Sequence, residues 1–313
     1  MTETLSPTDE IQIAANACGL PGFTGNFEPL GGGEVNDTYL LDFGERKTVL
    51  RIARREGQQT LKAEADALQM LAGVGNIPEL IYYDDACLIN GRQWIMESQL
   101  PGTTAEHLTS VQFGNLGNLL SQVHKHQKPE TVGVNAWERF LDSCKAFGDE
   151  QTLLNHPDPL MNSLIKKGVG YFSDFQPKLE EVIPTIIHSD ATPSNILVDG
   201  DDVGLIDWEF AKYSDPMAEF STVFYDDMEY NNGKWRIQIT DEERLALFNG
   251  YRAGGGELDE DRVNFWMTHD KLGAAVFLYW RIYQSGHYAS EQQLEQYGID
   301  LDNLQSSLQK IWE

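Results

Sequence analysis

The chain has 313 residues, enough for one two-lobed enzyme or two domains around a sizeable core. It carries 49 acidic against 23 basic residues, a formal net charge of −26. Such a field repels nucleic acid and anionic membrane surfaces and attracts cations. Acidic surfaces also serve solubility or a salty habitat, so charge alone chooses no substrate. The three cysteines, Cys18, Cys87 and Cys144, are far apart and odd in number. They fit reduced thiols and exclude a Cys-rich zinc module. Met1-Thr2-Glu3-Thr4 has neither the basic region nor the apolar core of a signal peptide. No apolar run approaches the ~20 residues that span a bilayer. A cytoplasmic protein with no nucleic-acid or membrane partner is expected.

In chain order, the first predicted helix covers Thr8 to Cys18, capped by Ser6 or Thr8. Gly31, Gly32 and Gly33 follow, between two β-like stretches and just before Asn36. Glycines allow backbone amides to approach a phosphate, although a flexible hairpin tip has the same composition. The P-loop pattern is absent: the Gly233-Lys234 pair is followed by Trp235. Thr48 to Ala53 alternates as a strand with one cation, Arg51, whose fork can hold a phosphate and a carboxylate together. That carboxylate is expected to be Glu64, on a predicted helix from Thr60 to Leu71 with Leu61, Ala65, Leu68 and Leu71 on one face. Trp94 to Gly102, with Glu97 and Gln99 inside it, reads as a strand running into a Pro-Gly break.

Beyond residue 102 the pattern turns helical. Helices are predicted over Gln112 to Lys125, Ala136 to Cys144, Leu160 to Lys167, Glu242 to Tyr251 and Leu258 to Gln284. Three short β-rich runs interrupt them: 182–187, 196–198 and 203–206, the last two separated by the turn Asp199-Gly200-Asp201-Asp202. On this frame lies His188-Ser189-Asp190-Ala191-Thr192-Pro193-Ser194-Asn195, an H-x-D-x-x-x-x-N pattern, and Asp207 ends the final run. Phosphoryl transfer from ATP needs a carboxylate to receive the acceptor's hydroxyl proton, and an Asn and a second Asp to hold Mg²⁺. Asp190, Asn195 and Asp207 are the candidates. Asx residues also bond to the backbone in turns, but the strand–loop–hairpin context disfavours that alternative. Asp215 is a predicted cap, with Pro216 at the first helical position. Phe224 to Tyr230 sets three acids, Asp226 among them, between three aromatics. Phe277, Trp280 and Gln284 share a helical face, as in a cage for a protonated amine or in ordinary core packing.

The order of these motifs resembles the aminoglycoside phosphotransferase and choline/ethanolamine kinase superfamily, small-molecule kinases with a protein-kinase-like fold. The resemblance spans about residues 25 to 285. It rests on Gly33 with Asn36 and Tyr39, on Arg51, Glu64, the stretch to Gly102, His188 to Asn195, and Ile206-Asp207-Trp208-Glu209-Phe210-Ala211. It implies an α+β fold: a small antiparallel β N-lobe with a helix over residues 1–97, a hinge at 98–102, and a larger, mainly helical C-lobe over 103–313. It also implies ATP and Mg²⁺ as cofactors, Asp190 as base, and Asn195 and Asp207 as metal ligands. The nucleotide contacts would be Gly31, Gly32, Gly33, Asn36, Arg51, Glu64, Glu97 and Gln99. Choline kinases carry a similar Ile-Asp-Phe-Glu-Tyr-Ala stretch and a W-x-x-W-x-x-x-Q helix, whose first Trp is Phe277 here. The expected acceptor is therefore small and cationic, an amino alcohol held by Glu209, Asp226, Tyr230, Phe277 and Trp280. A protein kinase is excluded, since Ser189 stands where the loop Arg would be and no Ala-Pro-Glu follows Asp207. An antibiotic kinase and a silent nucleotide-binding module stand as rivals, and monomer and homodimer are both open.

Overall fold

The computed structural model describes residues 5–30, 36–54, 60–104, 107–128, 132–223, 239–284 and 290–312. The chain begins with α1 (Pro7–Ala17), then β1 (Phe27–Pro29), β2 (Asn36–Asp42) and β3 (Lys47–Ala53). After α2 (Thr60–Met70) come β4 (Leu80–Ile89), β5 (Arg92–Ser98) and the two-residue β6 (Thr103–Thr104). Four helices follow, α3 (Ser110–Val123), α4 (Ala136–Cys144), α5 (Glu150–Leu154) and α6 (Pro159–Phe175). Next are β7 (Thr185–Ile187), β8 (Ile196–Asp199), β9 (Asp202–Leu205) and β10 (Lys212–Ser214). The last elements are α7 (Glu219–Val223), α8 (Asp241–Ala253), α9 (Glu260–Tyr283) and α10 (Glu291–Ile311). The α+β expectation holds. Two compact units form: residues 1–103 with 195–212, and residues 104–194 with 213–313.

The first unit is built on a five-stranded sheet in the order β1-β2-β3-β5-β4, antiparallel throughout. Ser6 caps α1 through a reciprocal capping box with Asp9, and Pro7 fills the first turn. Ile11, Ala14 and Ala15 of α1 then cover Leu41, Leu50, Ile52, Trp94 and Met96 of the sheet. Burial of this kind stabilises by about 25 cal/mol per Å² of apolar surface. Arg92 and Asn90 close the edge of that contact on Glu10. The hairpin β8–β9 belongs to the same unit. The Leu205 amide donates to the Asn76 carbonyl, and Gly102 (φ +100°) passes so close to Val198 that a Cβ would fall 2.5 Å from its carbonyl oxygen.

The second unit is helical. Thr109 caps α3 and Thr240 caps α8, each with a capping box. These two helices pack backbone to backbone. A Cβ on Gly117 would sit 2.1 Å from the Leu247 carbonyl oxygen, and one on Gly250 1.9 Å from that of Gly114. The axis of the unit is α9, whose Phe265, Trp266 and His269 are buried. Helix α6 runs past the predicted end at Lys167 because Gly168 is a close-packing site against Leu272 rather than a breaker. Helices α5 and α10 were not anticipated. Tyr297, Leu301, Leu304 and Leu308 form a buried stripe on α10, diluted in the sequence by Gln, Glu and Asp.

Candidate active site

Within the first unit, two carboxylates meet on Arg51. Strand β3 presents Arg51 from the sheet, where it is 8% exposed. Its Nη1 donates to Glu64 Oε1 at 2.5 Å, and its Nη2 donates to Asp207 Oδ1 at 2.8 Å. Glu64 Oε1 also accepts the Trp208 amide at 3.1 Å. One guanidinium therefore ties helix α2 to the turn that follows β9, as a planar fork can and an ammonium cannot. The pairing of β8 with β9 sets the rest. Ile196 lies opposite Leu205, the Ile206 amide donates to the Asn195 carbonyl at 3.0 Å, and Asp207 follows one residue on. The hairpin thus brings Asn195 and Asp207 to one end. Asp207 sits in the left-handed region (φ +68°), and its carboxylate is about one-third exposed.

Electrostatically this cluster carries more acid than base. Burial would lower the Arg51 pKa, but Glu64 and then Asp207 overcome it and hold the cation firmly protonated. Burial pushes Glu64 up to about 7, with Arg51 opposing and Asp207 reinforcing the shift. Glu97 lies on the same sheet face, since Val49 pairs with Glu97 and Arg51 with Ile95. It is 4% exposed, and burial, then the neighbouring Glu64, push it well above the usual carboxylate range. Glu209 is also raised, by burial and then by Asp207, while a hydrogen bond from Asn36 opposes. One oxygen each of Glu64, Glu97 and Glu209 is buried with no hydrogen-bond partner. Hard oxygen donors without partners, beside a carboxylate and an amide at a hairpin end, suit a small divalent cation bound through few protein ligands. No group of three or more His, Cys, Asp or Glu poised as a metal site occurs among the described residues.

The expected base Asp190 belongs to the second unit. Its amide donates to His188 Nδ1 at 3.2 Å, and its carbonyl accepts the Thr192 amide at 2.7 Å. Ser189 is left-handed (φ +67°), a costly state for a residue with a Cβ. A residue that sequence reasoning missed holds it there. Glu219, fully buried at the start of α7, accepts the amides of His188 and Ser189. Burial by itself would raise the Glu219 pKa. His124, the charge of His188 and these hydrogen bonds outweigh it, so the carboxyl sits below its ordinary value. Asp215 caps the preceding turn as expected, and it also takes Arg262 at 3.0 Å and the Trp266 indole N–H at 2.9 Å. The available signal was an acid inside the apolar row Met217-Ala218-Glu219-Phe220, which must find buried donors.

The remaining candidates separate. Gln99 has an exposed side chain, and its amide is taken by the Lys47 carbonyl. Phe277 and Trp280 are half-buried and pack on Phe147, with ring centroids at 5.5 and 5.1 Å. Gly31, Gly32, Gly33, Asp226 and Tyr230 lie outside the described residues.

A small-molecule kinase architecture is the class these elements define. Residues 26–266 match the model of the phosphotransferase enzyme family, and the chain belongs to that family. A homoserine kinase of Gluconobacter oxydans (strain 621H) is 26% identical over 198 residues, which cover 59% of this chain and 61% of that protein. The chain thus spans less than two thirds of that relative's length. Two solved structures share the fold over nearly the whole chain. A microcompartment-associated aminopropanol kinase superposes with a TM-score of 0.65 at 18% identity, covering 96% of this chain and 97% of the other. The streptomycin–ATP complex of APH(2")-IIa superposes with a TM-score of 0.63 at 16% identity, covering 93% and 95%. No described helix is long and apolar enough to cross a membrane.

Proposed function

We propose that the protein is an ATP-dependent small-molecule kinase that transfers the γ-phosphoryl group to a hydroxyl of a small, amine-bearing acceptor of the amino-alcohol class. The observation that carries this reading is the hairpin end bearing Asn195 and Asp207, locked to Glu64 through Arg51. Asn195 and Asp207 would hold Mg²⁺, with Glu209 nearby in sequence. When bound, the ion would supply neutralisation of phosphate charge. Arg51, kept charged by Glu64 and Asp207, would contribute its positive charge to orienting the phosphates. Asp190 orients the acceptor hydroxyl and receives its proton. The Glu219 carboxylate fixes the backbone that carries Asp190, so little reorganisation accompanies the transfer. Phe277 and Trp280 offer partly exposed aromatic faces to an ammonium, each contact contributing on the order of 0.5–2 kcal/mol. The likeness to a homoserine kinase supports a second acceptor, a hydroxy amino acid, which shares the amine and the hydroxyl.

The test is ADP release from ATP and Mg²⁺ over a panel of amino alcohols, homoserine, aminoglycosides and sugars. Acceptor-dependent turnover that vanishes in Asp190→Ala, with nucleotide binding retained, is the expected result. Turnover in Asp190→Ala equal to that of the unaltered protein would overturn the base assignment.

A further inference from the structure

A cavity of about 540 Å³ opens in the second unit, within the volume range that takes a small metabolite. Its walls come from the end of α3, the segment leading into β7, the Pro216 turn and the glycine turn between α8 and α9. None of its lining residues belongs to the nucleotide or acceptor candidates above. One buried side chain in its wall has a polar atom without a hydrogen-bond partner. Thr185 is 4% exposed, and its hydroxyl has none. His124 is 6% exposed and engaged on both ring nitrogens: Nδ1 meets the Tyr251 hydroxyl at 2.9 Å, and Nε2 faces Glu219 at 3.8 Å. A buried hydroxyl with no partner is uncommon and costs on the order of 1–3 kcal/mol unless something else satisfies it.

The charges around the cavity narrow what that something is. Lys178 is paired with Asp261, and Arg262 with Asp215 and Asp259. Lys125, Glu181 and Glu257 line the cavity from three different segments and enter no ion pair among the described residues. One free cation facing two free acids suits a molecule with one ammonium and one anionic group. It does not suit a polyphosphate, which needs several uncommitted cations. Val182, Ile183 and Pro216 supply apolar surface for a short side chain, and Thr185 a donor and acceptor at depth. We propose that this cavity is a second small-molecule site, for a zwitterion of the α-amino-acid class. The site abuts the Tyr251–His124 pair that flanks Glu219, so its occupant lies behind the loop bearing Asp190.

The experiment is ligand-observed NMR on the full chain, with the proteinogenic amino acids as probes, inorganic phosphate as a control, and no ATP or acceptor present. Because no turnover is read, failure here is distinguishable from failure of the kinase reading. At least one amino acid should bind saturably. Its affinity should fall about tenfold or more, the equivalent of one lost contact of about 1.4 kcal/mol, in Lys125→Glu and in Glu257→Lys. Both positions are exposed, so folding should be intact, and Thr185→Val tests the buried hydroxyl separately. No saturable binding by any probe overturns the proposal. So does binding of unchanged affinity in Lys125→Glu and Glu257→Lys, which would place the amino acid elsewhere, the acceptor site included. Saturable binding of phosphate alone overturns the zwitterion assignment.

Discussion

Glu64 in the first unit and Glu219 in the second are both fully buried carboxylates, yet their surroundings drive them in opposite directions. Burial raises Glu64 by more than Arg51 and the Trp208 amide lower it, and Asp207 and Glu209 reinforce the rise, so its pKa climbs to about 7. Glu219 meets two backbone amides and two histidines, and together these outweigh its burial, so its pKa falls. The difference teaches that burial sets only the starting cost of a carboxylate. The number of donors against the number of competing acids sets the sign. A satisfied acid is a strut, whereas an undersupplied one is a group waiting for a cation.

The sharpest way to break this comparison is Glu219→Gln. The amide can still accept one backbone N–H, but its NH₂ then faces the other, leaving a donor stranded in the core. A loss of about 3 kcal/mol in urea unfolding is expected, with turnover falling alongside it. A midpoint within error of the unaltered protein would deny Glu219 its holding role. Arg51→Lys comes next. An ammonium cannot span Glu64 and Asp207 in the fork geometry, so one contact is lost, at about 1–2 kcal/mol, and Mg²⁺–ATP affinity should weaken in calorimetry. Unchanged affinity would mean that Arg51 is structural only.

The smallest effect is a slope rather than a drop. A carboxyl raised in the folded state stabilises fully below its ordinary value of 4.5 and loses that contribution as pH rises through the folded pKa. Glu97→Gln should therefore match the unaltered protein near pH 4 and exceed it increasingly towards pH 8. A lowered carboxyl behaves oppositely, its contribution present above 4.5 and lost as pH falls. The deficit of Glu219→Gln should accordingly shrink in acid. Thermal melts of both variants across this range check the two signs, and parallel curves for either would contradict its assigned shift.

Much of the frame was legible in the sequence. Helix α4 begins and ends where the sequence predicts it, at Ala136 and Cys144, and the β8–β9 hairpin follows from the Asp-Gly turn. The H-x-D-x-x-x-x-N spacing pointed to Asn195 and Asp207 because the hairpin register is local. What stayed hidden depends on partners distant in the chain. Glu97 is buried beside Glu64 only because β5 pairs with β3, and Phe277 on α9 meets Phe147 in the turn after α4. The helix predicted to end at Lys167 continues to Phe175, and only the Leu272 side chain packed against Gly168 shows why.

The first unit is also discontinuous in the chain, completed by residues 195–212 after ninety-one residues of the second unit have intervened. Its last piece carries Asp207, and that piece closes onto Asn76, Gly102 and Glu64. A ribosome therefore delivers the sheet long before the strand pair that finishes it. Until residue 212 emerges, Arg51 lacks the Asp207 carboxylate and the carbonyl of Asn76 lacks the Leu205 amide. The ordering of this unit must wait on synthesis of the helices encoded between its halves, so a fragment cut at Thr103 should be an incomplete fold rather than a small domain.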